Sequence, residues 1–175
     1  MAEKPKDLKS IMERNKKALK LRPNIGQGTA TTTVRIRDGL TADIEDGQWK
    51  LVADEGTSDG GNGLGPDPGV FTRAGLGSCL AIGYVMWAAV FDVPLDSVEV
   101  TVEADYDARG AYGVEDSLAP GWAAVRYTAE ISSPAPEEKV RELIEYADSH
   151  SSVLDIIRRA IPVSGETKIT AAAKA

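Results

Sequence analysis

DPGVFTRAGLGSCLAIGYVMWAAVF, residues 67–91, decides the fold. Asp67 supplies an acceptor side chain at a helix N-cap, and Pro68 suits the first helical position, where its missing N–H costs nothing. From Ala74 to Phe91 eighteen residues carry no charge, about 27 Å of helix at 1.5 Å per residue. That is close to a bilayer span. Against a span stand Gly75, Gly77, Ser78 and Gly83 inside it, Asp92 directly after it, and no second apolar run of that length. A helix apolar on every side is otherwise the core helix of a globular protein. Val93-Pro94 marks its end.

Outward from this helix the chain reads as short antiparallel elements. Before it, GTATTTVRIR (28–37) is a strand, followed by LTADI (40–44) and WKLVAD (49–54), with Asp38-Gly39 and Asp46-Gly47 as tight turns. EGTSDGGNGLGP (55–66) holds five glycines but neither a Gly-Lys-Ser/Thr ending nor a clean GxGxxG after a strand. It is expected to be a flexible loop at the mouth of a site, not a phosphate cradle. After the helix, LDSVEVTVEADY (95–106) alternates as a strand with one wet face does, residues 107–121 form a long loop, and WAAVRYTAEI (122–131) returns. Val140, Leu143, Ile144 and Ala147 lie at helical spacing. A further short helix is capped by Ser151 or Ser152, with Asp155 completing a capping box, and VSGETKIT (163–170) reads as a last strand. Hairpins without regular β-α alternation make the class α+β, antiparallel sheets packed around a long central helix.

The 175 residues carry a net charge of −7, which argues against a protein that tracks nucleic-acid phosphates. Residues 1–22 nevertheless hold eight Lys/Arg against three acids, +5, and leave −12 on the remainder. We divide the chain into a basic amphipathic helix (1–24) and a domain (25–175). The arm is expected to dock on its own acidic body or on a second subunit; an anionic partner is the alternative. A single cysteine, Cys79, excludes an intramolecular disulfide, and the charged N-terminus shows no export signal, so a reducing, cytoplasmic setting is expected. One His and one Cys cannot assemble a metal site of the usual N/S type within a chain, and no cofactor is implied.

The stretch 67–80, DPGVFTRAGLGSCL, resembles the signature of the OsmC/Ohr family: an Asn/Asp-Pro start, a long helix, and a small-residue step just before a cysteine. VPLDSVEVTVEADYDARGAYG (93–113) is similar to the family's post-helix strand and D-x-R-G-x-x-G loop. The resemblance implies an intertwined homodimer around the central helices and, for catalytic members, thiol-dependent reduction of organic hydroperoxides. Cys79 matches the attacking cysteine. The segment that should carry the resolving cysteine reads HSSVLD (150–155), so Ser151 takes its place, and a hydroxyl cannot close a disulfide. The family's glutamate falls on Gly69. Its arginine should come from the first strand or its turn, where Arg37 and Arg35 are both available, with Arg37 preferred.

Two functions follow. One is a one-cysteine organic hydroperoxide reductase (a peroxidase) that uses an external thiol reductant; the other is a non-catalytic dimer that binds an apolar small molecule. The first needs a thiolate. Cys79 lies beyond the first turn of its own helix, where the terminal dipole has faded. Burial without a nearby cation would raise its pKa and leave it inert. His150, at a helix junction, is expected to be an exposed terminal residue and not a general base. Trp49 and Trp122 are expected to pack on helices, and Met86, Trp87 and Phe91 to serve the core or a subunit interface.

Overall fold

A computed structural model describes residues 7–171; Lys4 and Lys6 of the basic arm lie outside them. The elements run α1 (Leu8–Leu21), β1 (Thr33–Asp38), β2 (Thr41–Asp46), β3 (Trp49–Ala53), α2 (Pro68–Phe91), β4 (Ser97–Tyr106), α3 (Ala108–Ala111), β5 (Trp122–Ser132), α4 (Glu137–Asp148) and α5 (Ser152–Arg158). β1-β2-β3 form one antiparallel sheet and β4-β5 another.

Each of the two turns in the first sheet is entered by a glycine at positive φ, 54° at Gly39 and 56° at Gly47, a conformation glycine adopts without a Cβ penalty. The second sheet keeps its alternation. Val98, Val100 and Val102 on β4, and Val125, Tyr127, Ala129 and Ile131 on β5, pack with α2, while the other face is wet. Asp67 caps α2 as its residue type demands, its Oδ1 accepting from the N–H groups of Gly69 (2.7 Å) and Val70 (3.2 Å). The helix ends at Asp92, at φ 55°.

Leu76, Leu80, Tyr84 and Ala88 form the buried stripe of α2 at i, i+4 spacing, joined by Leu143, Ala147 and Leu154 from α4 and α5. The sequence predicted burial on every side, and the chain covers one face only. Ile82 is 59% exposed and Val85 45%. Length and composition would let α2 cross a membrane; here it is the central helix of an α+β fold.

Several local expectations are corrected. β1 begins at Thr33 instead of 28, and residues 163–170 form no strand, with Val163 and Ile169 almost fully exposed. Within the chain neither stretch has a strand to donate to, and a strand without a ladder partner is not one. Trp49 is exposed, since β1-β2-β3 turns that face outward; Trp122 is half-buried beneath the guanidinium of Arg73, 5.9 Å from its ring. The glycine-rich loop is tied down. Asp54, buried at the end of β3, accepts from Thr41 Oγ1 (2.8 Å) and from the N–H groups of Glu55, Asn62 and Leu64. Burial pushes its carboxyl up, and these four donors more than reverse that, holding it below the usual range. The basic helix docks on its own body: Lys9 pairs with Asp92, and Lys16 Nζ lies 4.5 Å from the Trp87 ring centre.

Candidate functional site

Cys79 sits three turns into α2, half-buried, one residue before the core residue Leu80. Its helix turns the sulfur toward the start of α5. Ser151 Oγ lies 3.3 Å from Cys79 Sγ and Ser152 Oγ 3.8 Å, and the backbone N–H groups of Ser152 and Val153 also favour the ionised sulfur. Ser151 is buried and caps α5, its Oγ accepting from Leu154 N at 3.4 Å. The expected capping box does not close: with Ser151 as the N-cap its third helical position is Leu154, and Asp155, one residue on, pairs with Arg159.

The electrostatics follow from that geometry. Desolvation pushes the Cys79 thiol up; the two hydroxyls and two amides oppose it and win, so the thiol is held below the ordinary cysteine value. Sequence reasoning required a cation for this. It missed that the sulfur, too far from the start of its own helix, meets the start of another, where free N–H groups favour negative charge. The usable signal was Ser151-Ser152 at a cap, in a segment that the family resemblance already aligned opposite Cys79.

Arg35 and Arg37 are elsewhere in the chain, on exposed β1. Arg35 Nη1 is 3.0 Å from Glu45 Oε2, and Arg37 Nε is 3.7 Å from Asp43 Oδ1. Neither is a hydrogen-bond partner of the sulfur among the described residues. At Gly69 a Cβ would lie 2.8 Å from Asp67 Oδ1 and 3.3 Å from Arg73 Nη1. The helix cap thus fills the space where the family's glutamate would begin. His150 is exposed, as expected, and stacks on Tyr146 with ring centres 4.2 Å apart. Met86, Trp87 and Phe91 do not touch the thiol site through hydrogen bonds; Trp87 and Phe91 join Tyr146 in an aromatic cluster farther along α2. An open apolar pocket of about 750 Å³ lies along the outer face of α2, lined by Leu8, Ile82, Val85, Met86, Val93 and Leu95 among others.

Residues 60–166 match the family described as OsmC-like protein. The solved structures similar to this chain include an OsmC-like protein from Mycoplasma pneumoniae, 14% identical over 75% of this chain and 89% of that one, with a TM-score of 0.65. An organic hydroperoxide resistance protein OsmC from Legionella pneumophila is 20% identical over 75% and 90%, with a TM-score of 0.56. One from Elizabethkingia anophelis is 18% identical over 75% and 89%, also at 0.56. At these identities the structures speak for the fold. No curated protein matches the chain. The family match spans more than half of the residues: the chain is a member of the OsmC-like protein family.

Proposed function

We propose that this protein is a one-cysteine thiol reductase of organic hydroperoxides, working in the cytoplasm as a homodimer. The observation that carries the reading is the arrangement at Cys79, a half-buried sulfur facing two hydroxyls and two amides that favour its ionised form. The thiolate attacks the terminal oxygen of the hydroperoxide. The O–O bond breaks, its electron pair leaves on the alkoxide, which takes up a proton to become the alcohol, and sulfur keeps the hydroxyl as a sulfenic acid. With serine at position 151 no internal disulfide follows. One external thiol condenses with the sulfenic acid and releases water; a second displaces Cys79 as a thiol and leaves the external disulfide.

The exposed apolar face of α2 supports a second subunit, since Ile82 and Val85 would otherwise remain in water. Arg37 or Arg35 is proposed to reach the peroxide from the partner subunit. A second reading is favoured by the 750 Å³ apolar pocket: a non-catalytic dimer that binds an apolar small molecule. Intact-mass measurement after cumene hydroperoxide separates them. The redox reading expects one added oxygen on wild type and none on Cys79→Ser. Wild type that gains no oxygen, while a one-cysteine peroxidase treated alongside does, would overturn it. The binding reading instead expects Cys79→Ser to keep any rise in melting temperature caused by a ligand.

A further inference from the structure

Asp148 ends α4 and stands three residues before Ser151. Its two carboxyl oxygens accept from two phenols: Tyr84 Oη on α2 at 2.8 Å to Oδ1, and Tyr127 Oη on β5 at 2.5 Å to Oδ2. Its backbone carbonyl accepts from Ser151 N at 3.2 Å. One residue therefore fastens the central helix, the returning strand and the entry to α5 to the end of α4. Tyr84 is 0% exposed, so water cannot replace this acceptor if it is lost.

The thiol site hangs from this junction. Cys79 and Tyr84 lie on the same helix, and the serines and amides that face the sulfur follow Asp148 within five residues. Apolar packing of Leu154 against Leu80 and Ala147 holds α5 close to α2 but fixes its position only loosely, because dispersion contacts are not directional. Hydrogen bonds are directional and fail over a fraction of an ångström. A drift of about 1 Å is enough to weaken a reacting geometry severely.

We propose that Tyr84, Tyr127 and Asp148 are positioning residues for the thiol site: the two phenols lock Asp148, and Asp148 sets the 149–151 connection that presents the Ser151 hydroxyl and the first amides of α5 to Cys79 Sγ. The inference rests on the reading of Cys79 as the reactive group. It is supported by the tyrosines themselves: desolvation and the Asp148 carboxyl push Tyr84 far above the ordinary phenol value and Tyr127 up to about 12. Both therefore remain proton donors through the range in which a thiol titrates. Arg158, on α5, is the cation facing Tyr127.

The test measures the thiol pKa of Cys79, by pH-dependent alkylation with iodoacetamide, in wild type, Tyr127→Phe, Tyr84→Phe and Asp148→Asn, with thermal melting of each. The expected result is a thiol pKa about one unit higher in the clamp variants, hence about tenfold slower alkylation at pH 7. In a Ser151→Ala background Tyr127→Phe should raise the thiol pKa by less than it does alone, because part of its effect runs through the Ser151 hydroxyl. Ile131→Val, a packing change on the same strand, should lower the melting temperature without moving the thiol pKa. Clamp variants that melt lower yet keep the wild-type thiol pKa would overturn the proposal and leave the clamp as ordinary structure. Should Tyr84→Phe fail to fold, the half-buried Tyr127→Phe decides. Alkylation consumes no peroxide, so the outcomes separate. A protein inert to hydroperoxide whose thiol still responds to the clamp keeps this inference and loses the redox reading; the reverse result does the opposite.

Discussion

Replacing Ser151 with alanine removes one donor to Cys79 Sγ, the hydroxyl at 3.3 Å, and keeps the amides of Ser152 and Val153. A hydrogen bond to a charged group contributes about 1.5–3 kcal/mol. Sulfur is a soft acceptor and the site is half open to solvent, so the lower end is discounted further, to about 1.4 kcal/mol, one pKa unit. Below both pKa values the thiolate fraction, and with it the rate of alkylation at pH 7, falls about tenfold. The pH dependence of stability has a definite sign. An acid whose folded pKa is depressed contributes stability that is absent below the folded pKa, grows as pH rises through it, and is complete above the unfolded value of about 8.5. Ser151→Ala also loses the cap to Leu154 N, about 1 kcal/mol at every pH. Melting curves should therefore separate by about 2–4 °C at pH 6 and by roughly twice that at pH 9, on the usual scale for a chain of this size. A pH-independent separation together with an unchanged alkylation rate would show that the Ser151 hydroxyl does not stabilise the thiolate.

Ser151→Cys places a thiol where the hydroxyl now meets Cys79, so hydroperoxide treatment should yield an intramolecular disulfide, seen as loss of two hydrogens by mass; two free thiols after treatment would count against the shared site. Ile82→Asp with Val85→Asp puts charge on the exposed apolar face of α2, and sedimentation is expected to show a dimer for wild type and a monomer for the variant. Gly61→Ala brings a Cβ to 2.0 Å from Glu55 O and should cost several kcal/mol, whereas Gly47→Ala, at φ 56° with open space around it, should cost about 1 kcal/mol. Equal melting temperatures for the two glycine variants would contradict the packed form of the 55–66 loop.

Elements with local signals were legible in the sequence. Asp67-Pro68 starts α2 and Val93-Pro94 follows its end; the two Asp-Gly turns set the first sheet; alternating valines placed one face of β4 on the helix. What stayed hidden depends on partners far along the chain. The glycines of 55–66 read as freedom because nothing nearby announces that Asp54 gathers three of the loop's amides and Thr41. Residues 163–170 carry strand residues yet find no ladder within the chain. Cys79 was identified as the candidate, but its surroundings come from a segment seventy-two residues away, and local charge counting looked for an arginine where a helix start supplies the field. Nothing near Tyr84 or Tyr127 in the sequence announces that one carboxyl group, that of Asp148, accepts from both phenols.

The thiol pKa of Cys79 in the native protein, set beside the same cysteine in urea, tests whether the start of α5 ionises the sulfur. A clearly lower value is expected in the folded chain, with alkylation that is faster at pH 7 when native than when unfolded. A native thiol that titrates at or above its unfolded value, or that reacts only once the chain is unfolded, would contradict it.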